Sequence, residues 1–546
     1  MQVSAPATRE GGGLSYKWTV AIVIIFGIFM SILDSTIVNI AVPRLQSAFG
    51  SDLNSTQWVL TGYILAQGVA TPLTGFFSDR IGLKRFYLIS LVAFTIGSAL
   101  CGLAWSLPTL ILFRILQGAG GAFLMPLSIS LLYREFPPEE RGTAMGFLGV
   151  PILLAPALGP TIGGYIVTYL GWQLIFYVNL PIGILGVIVT SLLLRNDTPS
   201  DARTSFDIPG FILSAAGLAL VLYGLSDAST DGWGSIQVLG TLLPGILFLI
   251  LFTIVELMIA NRGGQPLLDL RVFTNMPFTT SMIASTLVTF ALYGGLFLVP
   301  IYLQELRGLS AYQSGLLLLP QAFASMVTMI LGGRLVDRFG VRAVVIPGMV
   351  MLAVAMWLLT SLSLDIPYGS LQLLLILRSL AIGLCMQPLM VSALAEISPR
   401  RLPQASAVST TLRFVASSLT IAILATLVQT QTKVHYTHLA EQVIPGSPLG
   451  ELMAQMQLLY QSKGASIAEA HSAVVQTISG LLHQQGAVLA MQDAYWLSLA
   501  LSLVAVVATF FVRAQTKPKA PSNDAPRAES ASDEEQQARE EAMLAI

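Results

Sequence analysis

Charge is what this chain lacks. Of its 546 residues, 10% are Asp, Glu, Lys or Arg, against about 25% in a soluble domain. A soluble protein of this length folds as several domains, each with a charged coat. The 28 basic and 29 acidic residues are too few to supply them. That count excludes a soluble enzyme, a nucleic-acid-binding protein and a disordered chain. The net charge of -1 gives no global field for acidic partners. Cysteine is nearly absent. Cys101 and Cys385 both lie in apolar runs, so no disulfide framework is expected. Histidine is scarce: His435, His438, His471 and His483 all fall within 429–489, with no ligand cluster around them. No metal site is expected. There is no GxxxxGK[ST] loop, so the chain itself is not expected to hydrolyse ATP. No nucleophile–base–acid set occurs inside the apolar runs, and an enzyme is not expected.

What is abundant is apolar sequence, 54% by the nine-letter count, with a mean hydropathy of +0.74. A helix needs about 20 apolar residues to cross the hydrocarbon layer. Fourteen such runs are present, near 18–42, 57–77, 86–104, 108–132, 143–168, 174–194, 208–226, 237–259, 277–303, 312–333, 343–363, 369–394, 404–428 and 490–512. The expected fold is therefore an all-α bundle of 14 transmembrane helices. With a cytoplasmic N-terminus, 21 of the 28 Lys and Arg fall in cytoplasmic loops and tails. Four fall outside (Arg44, Arg307, Lys433 and Lys463), and Arg114, Arg378 and Arg413 fall within spans. The positive-inside rule thus puts both termini in the cytoplasm.

Residues 1–17 form an expected N-terminal tail, and 513–546, polar and acidic, an expected disordered cytoplasmic tail. Residues 429–489 are the one large outer loop. Ser447-Pro448 starts a helical pattern there, and Ser466-x-x-Glu469 is a capping box. A short helical hairpin is expected, either a solvated cover on the bundle or a docking surface.

The chain repeats itself. Residues 75–85 read GFFSDRIGLKR and 333–342 read GRLVDRFGVR, with Asp79 and Asp337 258 residues apart. Arg114 and Arg378 form a second pair, 264 apart. Two parallel six-helix halves are a known transporter plan. They occupy 18–194 and 277–512, with two inserted helices at 208–259.

These residues also carry a family resemblance. GFFSDRIGLKR resembles the loop between the second and third helices of the major facilitator superfamily. RILQGAGGA, from Arg114, resembles its fourth-helix motif, and GVPILLAPALGPTIGGYI (149–166) its antiporter-associated fifth-helix motif. LDSTIVNIAVP (33–43), WQLIFYVNLPIG (172–183) and VPIYLQELRGLSAYQSGLLLLP (299–320) narrow this to the fourteen-helix drug:proton antiporters of the EmrB/QacA type. The resemblance covers about 18–512. It departs at Gln173, where the family has Arg, and near Ala416–Ser418, where relatives often have glycines.

The resemblance implies export of lipophilic compounds, cations among them, in exchange for protons across a bacterial cytoplasmic membrane. It implies no cofactor beyond the proton gradient, and a periplasmic adaptor at 429–489. Two other readings stay open: transport of a lipid, metabolite or antibiotic, and a sensor or scaffold without transport. Embedded charges argue against a scaffold, since each costs about 2.5–3.5 kcal/mol at mid-membrane on insertion scales.

Asp34 is the acid deepest in any run, and a carboxyl that protonates sheds that cost. Ser31, Ser35 and Asn39 share its broad helix face. Asp34 is the candidate proton site, and the family has an acid there. Arg114 cannot lose its proton and must find a partner. It is expected to approach Asp34, and the resemblance gives it a part in proton transfer. Gln117 shares its face. Met30, Asn39, Trp58, Gln117 and Met125 are candidate cavity residues. On the fifth helix, Gly159 and Gly163 permit close packing. Pro156 and Pro160 kink it, making a candidate pivot. Gly75, Asp79, Arg80 and Gly82 form an expected inner latch, with Asp337 and Arg338 its looser counterpart. For each, a purely structural role (hydrogen bonding, packing or a topological anchor) is the alternative.

Overall fold

The computed structural model describes residues 15–197, 206–444 and 446–511. The expected tails lie outside them, except for residues 15–17, where the first helix already begins. The described residues hold helices and turns and no strand. The first half comprises α1 (Tyr16–Phe49), α2 (Leu53–Ala70), α3 (Thr74–Ile81), α4 (Leu83–Gly102), α5 (Leu107–Gly121), α6 (Leu124–Glu135), α7 (Arg141–Tyr169), α8 (Leu174–Tyr177) and α9 (Asn179–Leu193). The inserted pair is α10 (Ile208–Asp231) and α11 (Ile236–Asn261). The second half comprises α12 (Met276–Ile301), α13 (Ala311–Phe339), α14 (Val341–Leu359), α15 (Tyr368–Leu394), α16 (Leu402–Glu441), α17 (Pro448–Ser462) and α18 (Ile467–Phe511).

Among the described residues, thirteen helices are long and apolar enough to cross a membrane. The expected run at 57–77 is not one of them. It is helical, but it carries Thr61, Gln67, Thr71 and Thr74, and a tight turn at Thr71–Leu73 with Pro72 divides it into α2 and α3. The fourth run breaks likewise into α5 and α6 above Pro126, whose ring cannot continue the hydrogen-bond ladder. The two repeat loops fold alike. Gly82 (φ 90°) and Gly340 (φ 83°) end one helix and start the next in a conformation that favours glycine.

Both helix starts expected in the outer loop are present, Ser447 capping α17 and Ser466 preceding α18, but the flanking helices run into the loop. No Gly or Pro interrupts 404–441, and α16 continues as one helix to Glu441. α18 begins at Ile467, where Ser466 and Glu469 close the capping box. The expected pair, α17 and the start of α18, packs together, but not as a separate hairpin: with the end of α16 it forms an apolar cluster around Val474, Ile478 and Leu482.

The inserted pair packs through α10 on α2 and α16. Trp58 of α2 stacks on Tyr223 of α10 with ring centroids 5.5 Å apart. α11 leaves Leu243, Leu247 and Ile250 exposed, the pattern of a helix facing lipid. One polar spot is buried in the pair. Asp207 Oδ1 accepts from the Gly210 N–H at 2.9 Å, and Glu256 Oε2 accepts from the Leu268 N–H at 3.4 Å. Among the described residues the other two carboxyl oxygens have no hydrogen-bond partner, and both face Gly210.

The halves meet closely along α7 and α13. A methyl on Gly142 would strike the Gly333 carbonyl, and one on Gly146 the Met329 carbonyl. Gly159 and Gly163, in contrast, pack on Thr36 and Ile37 of α1 within the first half. Gly142 and Gly146, in the first two turns of α7, are thus among the glycines that let the halves touch, while Pro156 and Pro160 lie further along an unbroken helix.

Candidate functional site

Helices α1, α5 and α9 bring four polar side chains together inside the first half. Asp34 and Arg114 are both 0% exposed. Arg114 Nη1 donates to Asp34 Oδ2 at 2.5 Å. Gln117 Nε2 and Asn179 Nδ2 donate to Asp34 Oδ1 at 2.9 and 2.8 Å. All three neighbours donate, so the carboxyl acts purely as an acceptor, as an ionised one does. Arg114 is held in turn. Its Nε donates to the Val59 carbonyl at 3.1 Å, and Nη1 also to Gln117 Oε1 at 2.9 Å. Its guanidinium lies 4.0 Å from the Tyr63 ring centroid, a favourable cation–π position. Ser98 Oγ accepts from Asn179 at 3.0 Å and donates to the Phe176 carbonyl. Removing one partner from such a pair leaves an uncompensated buried charge, at a cost of about 3–5 kcal/mol.

A cavity of about 170 Å³ lies between the halves. Ser31, Gln67 and Met125 wall it from the first half, and Tyr293, Met386 and Arg413 from the second. The cavity reaches the charged pair through Tyr63. Gln67 Nε2 donates to the Tyr63 hydroxyl at 3.0 Å, and that hydroxyl donates to the Ser31 carbonyl at 3.2 Å. The Tyr63 ring then underlies Arg114.

Of the candidate cavity residues, Met125 lines this space. Met30 is buried in the main apolar core, Asn39 is exposed, Trp58 stacks on Tyr223, and Gln117 joins the Asp34 cluster. Those four do not line the cavity. Asn179, Tyr63 and Gln67 are absent from the sequence-level candidates. Their signal is faint, since each is a neutral polar group within an apolar run.

At one end of the bundle the halves are bolted together. The Asp337 carboxylate accepts from the Gly142 N–H at 2.8 Å, the Thr143 N–H at 2.8 Å and the Thr143 hydroxyl at 2.6 Å. It caps the start of α7, where the helix dipole favours an anion. The Tyr133 hydroxyl reaches the Val391 carbonyl at 3.2 Å. Asp79 is the looser of the two repeat acids, the reverse of expectation. Burial pushes its carboxyl up, Arg400 opposes this, and among the described residues no hydrogen bond ties it to the other half. A methyl on Gly75 would meet Gln404 of α16, so Gly75 is at the seam. The guanidiniums of Arg80 and Arg338 lie over the neighbouring rings of Phe76 and Phe339. Gly82 abuts Asp197, whose carboxylate accepts from the Leu83 N–H.

A two-half helical bundle with a buried acid–base pair beside a central cavity is the architecture of a membrane transporter. Residues 24–421 match the family model of the Major Facilitator Superfamily. The chain is 34% identical over 465 residues to an uncharacterized MFS-type transporter, YhcA, of Bacillus subtilis, covering 84% of this chain and 86% of that one. It is 30% identical to the multidrug export protein EmrB of Escherichia coli, covering 89% and 93%. To the tetracenomycin C resistance and export protein of Streptomyces glaucescens it is 32% identical, covering 70% of each. Among solved structures, the proton:xylose symporter XylE superposes with a TM-score of 0.56 at 15% identity, covering 92% of this chain and 96% of that one. The chain belongs to the major facilitator superfamily, within its EmrB-type drug:proton antiporter family. It is a multi-pass membrane protein and not an enzyme.

Proposed function

We propose that the protein exports lipophilic compounds from the cytoplasm in exchange for protons, and that Asp34 is the proton carrier. The observation that carries this reading is the Asp34 cluster, with three donors and no acceptor facing the carboxyl. A proton arriving on Asp34 neutralises the partner of Arg114 and brings a donor where only donors stand. The cluster must then rearrange. Arg114 shares its surroundings with Tyr63, and Tyr63 bonds to the cavity-lining Gln67. Protonation is thereby coupled to the wall that a substrate touches. The names of EmrB and of the tetracenomycin C exporter support export as the direction.

The excess of basic residues in the loops on its side supports a cytoplasmic position for the Asp337 end, and the bacterial relatives support an inner membrane; in that orientation the halves are closed on the cytoplasmic side in this state. Opening that end breaks the three bonds to Asp337. An inside-negative membrane potential would add about 2.3 kcal/mol per proton per 100 mV. The resemblance to EmrB supports an adaptor protein docking where α16, α17 and α18 cluster, and co-purification with and without α17 tests it.

Reconstituted protein with an imposed pH gradient tests the export reading. Ethidium and 8-anilinonaphthalene-1-sulfonate serve as cationic and anionic dyes. Dye-dependent proton flux through the protein is expected for at least one, and its absence for both, across a wider panel of lipophilic compounds, overturns the reading.

A further inference from the structure

The second half carries the counterpart of Arg114 without the counterpart of Asp34. Arg378 is 2% exposed. Its Nη1 donates to the Ala291 carbonyl at 3.2 Å and its Nη2 to Gln321 Oε1 at 3.5 Å, while Nε has no partner among the described residues. On α12, where an acid would stand by analogy with α1, there is Gly295, and a methyl there would overlap the guanidinium. Arg378 is the sole charged side chain among the described residues around a small cavity of about 40 Å³. That cavity shares Pro156, Leu292 and Leu296 with the central one. In the central cavity the sole charged lining residue among those described is Arg413. It has neither a hydrogen bond nor an ion pair among the described residues.

Two guanidiniums therefore line two neighbouring, largely apolar cavities that share three wall residues, with no carboxylate among the described lining residues. Neither can shed its charge by losing a proton. An unpaired cation away from water is costly, and a bound anion relieves that cost. A guanidinium fork also matches the oxygens of a carboxylate or sulfonate. The rest of the wall includes Tyr293, Phe414, Met125 and Met386, side chains suited to flat aromatic bodies. Asp34 is held by its own three donors and does not line the cavity.

We propose that the central cavity selects aromatic anions, with Arg413 as the main counter-charge and Arg378 as the second. This rests on the export reading above and names its substrate class. It also fixes the electrical character of transport. Exchange of one monoanion outward for one proton inward moves two elementary charges in the same sense. A monocation exchanged for one proton moves none.

The test uses a matched set of naphthalenes on the full chain in lipid nanodiscs: naphthalene-1-sulfonate, 1-naphthyltrimethylammonium and the neutral methyl 1-naphthyl sulfone. The sulfonate is expected to bind about tenfold or more tightly than the ammonium. Arg413→Gln should remove most of that preference while the neutral sulfone still binds, which shows an intact cavity. Arg413→Lys should keep the preference, and Arg378→Gln should reduce it in part. Equal binding of the two ions, an ammonium preference, or a sulfonate preference untouched in Arg413→Gln overturns the proposal. The failures are separable. If a pH gradient drives the ammonium, export stands and anion selection falls. If the sulfonate preference holds but no gradient drives any compound, anion selection stands and the proton-driven reading falls.

Discussion

Arg114 donates to Asp34 across 2.5 Å with both side chains wholly buried, 80 residues apart in sequence. The pair lies inside one half rather than between the halves. It is joined to the cavity by the Tyr63 ring and by the Gln67–Tyr63 hydrogen bond. Charge at the site and contact at the cavity are thus adjacent layers of the same packing.

Asn179 positions this pair. Its amide holds Asp34 Oδ1 and Ser98 together. Asn179→Leu keeps the branched outline, though in a larger side chain, and removes a charge-assisted bond worth about 1.5–3 kcal/mol. Proton-driven dye efflux should fall about tenfold or more, with dye binding unchanged in the absence of a gradient. Equal loss of binding and efflux would mean that Asn179 acts only through the fold.

Asp337 is expected to hold the closed end more firmly than Asp79. Asp337→Asn replaces an acceptor with an amide that meets two backbone N–H groups. Losing about 1.4 kcal/mol of closure should speed thiol labelling of a cysteine placed at Val391 by about tenfold. The two native cysteines are buried and give little background. Asp79→Asn should change labelling far less. A larger effect from Asp79→Asn would contradict this order.

Glu256→Gln should not weaken the inserted helices. The Glu256 and Asp207 oxygens without a partner among the described residues face the same glycine, and an amide supplies a permanent donor between them. A net hydrogen bond of about 1 kcal/mol should raise the unfolding midpoint by about 1–2 °C. A fall in midpoint would assign Glu256 a partner beyond Asp207.

The sequence displays the bundle and the pair plainly because both announce themselves through charge. Asp34 and Arg114 stand out as ions in apolar runs, and basic loops alternate with bare ones. Asn179 does not stand out. An amide in an apolar run carries no comparable penalty, and its partner is 145 residues away. The ranking of Asp79 and Asp337 is equally hidden. Both occupy the same motif, and what separates them is the helix start each one meets across the seam. The outer loop reads as a hairpin because Ser447-Pro448 and the Ser466-x-x-Glu469 capping box mark two helix starts within it. The missing cue is the lack of any helix breaker before 441. Arg413 shows as an embedded charge, but its isolation depends on side chains from α12 and α15.

The most direct measurement compares the wild type with Asp34→Asn in proteoliposomes, using ethidium and 8-anilinonaphthalene-1-sulfonate. Two rates are read: uphill efflux driven by a pH gradient, and dye exchange at equal pH. Asp34→Asn should abolish the first for every dye that the wild type moves, while exchange at equal pH persists. Undiminished gradient-driven efflux in Asp34→Asn would remove Asp34 from the coupling and contradict the mechanism.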